Sequence, residues 1–246
     1  MSETKWDPIQ YNKVADFVAK LGEPLLELLA PKPTDVILDL GCGDGNLTQK
    51  IKPLCKEVMG VDASAEMVSS AVQKGLDAYV KDAQELDFHE SFDSVFSNAA
   101  LHWMTTPEKV VKGVFQALKP KGIFVAEFGG YGNAGKVVDA LSKRLTQEDI
   151  EHENPWYFPT AETYAALLIK QGFAVEYIEL FDRFTPLPEH LSDWIEAFGQ
   201  VFFKHASEAQ KRHIINDVTA ALKPTLFVNG QWHVDYVRLR LKASKS

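Results

Sequence analysis

Hydrophobic and polar positions change period several times along this chain. Val14, Phe17, Val18 and Leu21 fall at helical spacing, and "EPLLELLAP" adds a second short helical signal stopped by Pro31 and Pro33. Together they predict a helical N-terminal segment over about residues 1–30. The pattern then switches to short apolar runs separated by helical stretches: "VILDL", "EVMGVD", "DAYVKD", "FDSVFSN" and, after the turn residues Pro120 and Gly122, "GIFVAEF". Strands that read as nearly continuous apolar runs are buried on both faces, so the alternation predicts parallel strands joined by helical crossovers. Within it, Ser64 is placed to cap the helix "AEMVSSAVQK", with Glu66 in its first turn and Gly75 as its stop.

After Phe128 the regular alternation loosens. "GGYGNAG" reads as a loop, "TAETYAALLIKQGF" as a helix ended by Gly172, and "AVEYIELFDRF" as a long strand. Between that strand and the last one, "QWHVDYVRLRL", lie two helical stretches, "LSDWIEAFGQVFFKHA" and "SEAQKRHIINDVTAALK". A terminal hairpin needs only a tight turn, so this helical insertion over about residues 187–225 is a candidate cap over a pocket. On its first helix Trp194, Phe198 and Phe202 recur every four positions, an aromatic stripe that serves either the core or a pocket wall. No internal repeat or linker interrupts the chain, and the expected organisation is one domain over 1–246 with an N-terminal lid helix and this cap.

Composition narrows the partners. A chain of 246 residues with 46 % hydrophobic residues can bury a full core. Its formal net charge of −8 argues against a nucleic-acid partner, because phosphate contacts need a basic face. No apolar run approaches the roughly 20 residues needed to span a bilayer, and the polar start "MSETKWDPIQ" does not read as a secretory signal. The expectation is a cytoplasmic protein with no membrane or obligate protein partner. Cys42 and Cys55 lack metal-ligand spacing and read as reduced thiols, and no metal site is expected.

The chemistry concentrates in "VILDLGCGDGNLT". A strand that ends in glycines and feeds a helix brings bare backbone close to a ligand beside the positive end of the helix. The dinucleotide fingerprint would need a third glycine at position 46, where this chain has Asn46; its glycines are Gly41, Gly43 and Gly45. Asp39 precedes the first of them by two positions, Asp62 closes the next strand, and Asp82 closes the third. Each can be a turn former or helix cap. As a set at three successive strand ends, they suit a ligand carrying positive charge better than a pyrophosphate. Asp62 is placed to accept from ribose hydroxyls, and Asp82 beside a backbone amide can read an adenine edge.

With these residues the chain resembles the class I S-adenosylmethionine-dependent methyltransferases, from the N-terminal helix to about Phe128. The resemblance implies an α/β, Rossmann-like three-layer sandwich with a seven-stranded, mostly parallel sheet whose last strand is reversed. It implies S-adenosylmethionine as cofactor, with Asp39, Gly41, Gly43 and Gly45 at the methionine portion, Asp62, Ala63 and Met67 near the ribose, and Asp82 with Ala83 at the adenine. The fourth strand end, "SNAALHWMTTPEK", is similar to a branch that includes trans-aconitate, malonyl carrier-protein and juvenile hormone acid methyltransferases, which share an Asn and a Gln-Trp or His-Trp pair, here Asn98, His102 and Trp103. Trp6, Pro8 and Tyr11 in "WDPIQYNK", and "NPWYFPTAETYAALLIKQGF", extend the similarity.

That branch implies a small organic acid as methyl acceptor. Asn98 lies between cofactor and chemistry, Tyr11 closes over the site, and His102, Trp103 and Trp156 face the substrate. A carboxylate is already ionised at neutral pH and needs no general base, so His102 can serve as a donor. If the acceptor is instead a hydroxyl or phenol, His102 is the candidate base. A third reading is a protein that holds the cofactor without turnover. Lys136, Arg144 and Arg183 lie in the variable half, and no motif ties them to a pocket.

Overall fold

The computed structural model describes residues 22–246. At its centre is β1 (Val36–Leu40), buried along its length from Ile37 onward. Its neighbours are β2 (Glu57–Asp62) on one side and β4 (Phe92–Asn98) on the other, both parallel to it. With β3 (Asp77–Val80), β5 (Leu118–Gly129), β6 (Phe173–Pro186) and β8 (Gln231–Lys245), the sheet runs β3-β2-β1-β4-β5-β8-β6. β8 alone is reversed along this path, antiparallel to both β5 and β6. The mostly parallel sheet with a reversed last strand is therefore as the sequence pattern and the resemblance implied. The difference is an eighth, two-residue strand, β7 (Phe227–Val228), which pairs with the start of β8 through the left-handed pair Asn229 and Gly230.

Helices cover both faces because both faces of the central strands are apolar. α1 (Glu23–Leu29) and α2 (Asn46–Ile51) pack through Leu25, Leu29, Leu47 and Ile51 onto Ile37, Phe96 and Val125. α3 (Ala65–Gln73) begins where Ser64 Oγ accepts the Met67 N–H at 3.2 Å, the cap read from the sequence, and Gly75 follows its end with φ +76°. On the opposite face from α1, α4 (Pro107–Ala117) and α6 (Ala161–Gln171) bury Val110, Val114, Tyr164 and Leu168 against Leu38, Phe124 and Leu241. Gly172, at φ +109°, ends α6 as expected.

A second apolar cluster forms beyond the sheet. α5 (Gly135–Gln147), α7 (Leu191–Phe198) and α8 (Glu208–Leu226) contribute Leu141, Leu145, Trp194, Ile195, Ile214 and Leu222, joined by Trp232 and Tyr236 from β8. The first helix of this insertion is shorter than its hydrophobic pattern predicts. It stops at Gly199, whose N–H still reaches Ile195 O at 2.8 Å, and a separate 3₁₀ turn, Gln200–Phe203, follows. Glycine's low helix propensity ends the helix there; all three aromatics still pack into or against the core cluster, and Trp194 and Phe198 line a cavity as well. The helical pattern before Gly22, with Trp6, Pro8, Tyr11 and most of the lid helix, lies outside the described residues. Among those residues no helix is long and apolar enough to cross a membrane.

One buried ion cluster ties the reversed strand to its neighbours. Glu127 of β5, 2 % exposed, accepts from Arg240 Nε of β8 at 2.7 Å and from Arg183 Nη2 of β6 at 3.1 Å. Removing one member of a buried charge cluster leaves its partners uncompensated. Glu127→Ala is therefore expected to lower the free energy of unfolding by roughly 2–3 kcal/mol, at the lower end because both arginines keep some solvent. Urea denaturation of the two proteins measures this directly.

Candidate functional site

The site is built where the strand order reverses direction, between β1 and β4, the place at which an open α/β sheet leaves a crevice at its carboxyl ends. After Leu40 the chain must turn from strand to helix within a few residues. It does so with Gly41, Gly43 and Gly45 at φ +74°, +55° and +82°, values that side chains rarely adopt. Packing imposes two of these glycines. A Cβ on Gly41 would stand 2.2 Å from Ala100 Cβ, and one on Gly45 would stand 2.3 Å from Leu76 Cδ1. Gly43 differs, since among the described residues a Cβ there would meet nothing within 4 Å. Its backbone therefore forms a cradle rather than a contact with them.

Three acidic residues surround that cradle. Asp62 receives the Gly43 N–H at 2.9 Å on one oxygen and the Ser64 N–H at 2.9 Å on the other. The Ala63 N–H bonds to it as well, and a carboxylate has about four acceptor positions, so some capacity remains. Asp39 is 2 % exposed and accepts the Thr48 hydroxyl at 2.6 Å. Burial pushes its carboxyl up to about 7; the Thr48 bond opposes this, and the negative charge of Asp62 adds to it. Burial likewise raises the Asp62 carboxyl. Asp82 caps the 3₁₀ turn Ala83–Glu85 by accepting the Gln84 N–H at 2.8 Å, and Ala83 is buried behind it. The Lys81 N–H reaches Asp62 O at 2.9 Å, which fixes the third strand end against the second.

These residues fit a cationic nucleoside. The glycine cradle admits a ligand against bare backbone, and two buried carboxylates favour positive charge beside them. Met67 is buried on α3 nearby in sequence, whereas Ala63 is exposed. Asn98, half-buried at the end of β4, has its Nδ2 3.1 Å from where a Cβ on Gly22 would stand, so it sits toward the N-terminal segment. Tyr11 lies outside the described residues.

A second group of residues closes a small cavity of about 50 Å³ next to the end of β4. His102 belongs to the 3₁₀ turn Leu101–Trp103; its carbonyl accepts the Tyr157 N–H at 2.9 Å and its Nδ1 accepts the Gly129 N–H at 3.3 Å. Burial, and the positive charge of Arg238, lower its pKa to about 3. The imidazole is therefore neutral at physiological pH, and with Nδ1 accepting, its proton is on Nε2. Trp103 and Phe158 lie at ring distances of 5.5 Å and 5.8 Å from it. Trp156 joins the same wall, 5.6 Å from Trp103 and 5.7 Å from Phe158, with its indole N–H buried and unpartnered.

The sequence named His102, Trp103 and Trp156 for this place, and all three line the cavity. It did not name Asn133, Tyr236 or Arg238, which line it too. Asn133 Oδ1 accepts the Val237 N–H at 3.1 Å, which leaves its amide N–H groups for other partners. Arg238, 6 % exposed, has its guanidinium 4.3 Å above the Tyr236 ring. The cations singled out earlier go elsewhere: Lys136 to Asp235, Arg144 to Asp217 and Glu148, and Arg183 to Glu127. A wider, open depression of about 340 Å³ between His190, Thr219, Lys223 and Trp232 is lined by none of the residues gathered at the strand ends. Among the described residues no cluster of three or more His, Cys, Asp or Glu side chains could hold a metal ion.

Comparison with known proteins agrees with this geometry. Residues 38–126 match the family model described as a methyltransferase domain. The chain is 40 % identical over its full length to an uncharacterized methyltransferase of Schizosaccharomyces pombe, all of which is covered. It is 35 % identical to trans-aconitate 2-methyltransferase of Rhodococcus jostii over 88 % of this chain and 89 % of that one. Malonyl-[acyl-carrier protein] O-methyltransferase of Bacillus cereus is 24 % identical over 59 % and 58 % of the two chains. Among solved structures, an S-adenosylmethionine-dependent methyltransferase from Mesorhizobium loti superposes with a TM-score of 0.57 at 21 % identity, covering 94 % of this chain and 99 % of that one. A phosphoethanolamine N-methyltransferase of Haemonchus contortus, bound to S-adenosylhomocysteine, gives 0.62 at 19 % identity over 97 % of this chain and 57 % of that one.

Two outcomes follow for the glycine cradle and its acids. Asp39 binds a proton more tightly folded than unfolded, where its pKa is 3.8, so the ligand-free protein loses stability as pH rises from about 4 through 7. Asp39→Asn is expected to raise the urea midpoint at pH 7.5 without ligand while weakening S-adenosylmethionine binding at least about tenfold, the two measured by denaturation and calorimetry. Gly41→Ala, which forces a Cβ onto Ala100, is expected to lower the melting temperature clearly more than Gly43→Ala, whose loss should show in cofactor affinity.

Proposed function

This chain belongs to the class I S-adenosylmethionine-dependent methyltransferases, and we propose that it methylates a carboxylate of a small organic acid. The observation that carries this reading is the lining of the cavity beside the cofactor crevice. Its described lining offers an imidazole N–H, an amide and aromatic walls. Neutral donors of this kind can orient an anionic oxygen. The chemistry agrees, because the one imidazole present is neutral with Nδ1 committed to the Gly129 N–H, which leaves it a donor rather than a base.

Bound S-adenosylmethionine supplies an electrophilic methyl group on a sulfonium. The residues that would hold it are Asp39 and the Gly41–Gly45 loop at the methionine portion, Asp62 at the ribose, and Asp82 with Ala83 at the adenine. Tyr11 and Asn98 would complete the crevice toward the acceptor. An acceptor carboxylate, with a pKa near 4, attacks as the anion: its oxygen forms the new O–C bond, the C–S electron pair returns to sulfur, and no proton moves. What the protein contributes is alignment. His102 orients the attacking oxygen, and Trp103, Trp156 and Phe158 hold the acid's body and exclude water. The relatives named above are consistent with this reading, since trans-aconitate and the malonyl group are both acids.

The test is transfer of labelled methyl from S-adenosylmethionine to a panel of short acids and phenols, followed by mild alkali. An ester releases its label as methanol; an ether keeps it. With S-adenosylmethionine saturating, so that the titration of Asp39 near 7 in the ligand-free protein does not enter, the rate on a carboxylate is expected to be flat from about pH 6 to 9, because neither the acid nor His102 titrates in that window. His102→Gln, which keeps an N–H donor, should retain more than about a tenth of the wild-type kcat/KM, and His102→Phe should lose about 100-fold. Label stable to alkali, with a rate that falls as pH drops below 7, would move the function to hydroxyl methylation.

A further inference from the structure

We propose that the depression between α7, α8 and the hairpin of β7 and β8 is a second binding site, separate from the acceptor cavity, for a small aromatic carboxylate. Asn216, Thr219, Ala220 and Lys223 of α8 line it, and their spacing places them on one face of the helix. Phe227, where α8 gives way to β7, and Trp232 of β8 border it with ring centroids 5.2 Å apart. His190, which caps the start of α7, stands edge-on to Trp232 at 5.0 Å. The volume of about 340 Å³ falls within the range of small-molecule sites, which begins at roughly 300 Å³. None of these residues lines the acceptor cavity, to which α7 and β8 instead give Trp194, Phe198, Tyr236 and Arg238.

Thr219 is the residue that packing does not account for. It is 8 % exposed, and its Oγ1 is buried without a hydrogen-bond partner. A helical threonine ordinarily turns its hydroxyl back to the carbonyl four residues earlier, and a buried hydroxyl left unpaired destabilises the fold. Valine would fill the same space without that cost, so the hydroxyl has its use when something in the depression pairs with it. The other polar groups indicate what that is. Lys223 Nζ lies 5.5 Å from the centre of the Phe227 ring and forms no ion pair among the described residues. His190 Nδ1 accepts the Ser192 N–H at 3.3 Å, so the ring proton is on Nε2, a donor. No Asp or Glu is among the described residues that line the depression. One ammonium with neutral donors matches the single charge of a carboxylate, whereas a phosphate calls for more cations. Trp232 and Phe227 supply the ring surface that an aromatic body packs against.

The experiment titrates the full-length protein, saturated with S-adenosylhomocysteine so that no methyl can transfer, with benzoate, benzamide and cyclohexanecarboxylate in a calorimeter. Benzoate is expected to bind with a Kd below about 1 mM and the other two at least about fivefold more weakly. Lys223→Gln should weaken benzoate at least about fivefold, and Thr219→Val about three- to tenfold while melting at the wild-type temperature or above it. Ala220→Leu, which adds bulk to the face of α8 within the depression, should abolish binding, and His102→Phe in the acceptor cavity should leave it unchanged. Absence of benzoate binding overturns the proposal. So does binding that His102→Phe removes and Lys223→Gln does not, because the probe then sits in the acceptor cavity. Weaker binding in Thr219→Val together with a lower melting temperature also overturns it, since the hydroxyl then supports the fold rather than the ligand.

Discussion

The 2.9 Å hydrogen bond from the Gly43 N–H to Asp62 joins the first strand end to the second, and the rest of the crevice is arranged around it. The loop from Leu40 to Asn46 has three residues at positive φ and no regular pairing of its own; the Gly41 and Cys42 N–H groups both turn to Val61 O, at 2.8 Å and 3.0 Å. Without an acceptor at Asp62 the middle of that loop would present an unpaired N–H to the crevice. With it, the backbone at Gly43 is held open, and the carboxylate keeps acceptor capacity for a ligand. A single side chain thus sets the loop and presents the edge that a ribose would meet.

Holding that edge costs stability, and Asp39 shows where. It is fully enclosed, bonded to Thr48, and close enough to Asp62 to feel its charge, so its carboxyl titrates near 7. An acid placed for folding alone would be solvated or salt-bridged. Lys74, which bonds within this loop, is committed to Asp44 and Asn46. The strain makes physical sense once a cation enters the crevice, because a positive charge beside the carboxylate offsets the burial cost that raises its pKa. This is a site whose electrostatics are completed by what it binds.

The first half of this architecture was legible in the sequence because it is local. Strands buried on both faces read as apolar runs, the Ser64 cap and the Gly75 and Gly172 stops are single-residue signals, and the glycine spacing with three strand-end acids identifies the crevice. The acceptor side was only partly legible. His102, Trp103 and Trp156 came from similarity to a family pattern. Arg238 did not, because in "YVRLRL" it is one of two alternating arginines on a strand that reads as half-exposed. Which of the two enters a cavity depends on register: Arg240 falls opposite Glu127 and is neutralised there, whereas Arg238 falls opposite Gly129, at the very end of β5. No local property of the sequence separates them. The length of the helix that carries the aromatic stripe was misread for a different reason, since Gly199 interrupts a helix whose hydrophobic period continues past it.

The two parts of the site carry different polar groups. Asp39, Asp62 and Asp82 gather carboxylates at the strand ends, whereas the cavity beside them brings His102, Asn133 and Arg238 together. The two parts meet at the end of β4, where Asn98 lies between them in the chain. The neutrality of His102 matters most at this junction. An imidazolium there would stand beside both Arg238 and a sulfonium, and burial together with Arg238 keeps it from forming. The imidazole that remains can donate to an oxygen but cannot take a proton without losing the bond to Gly129.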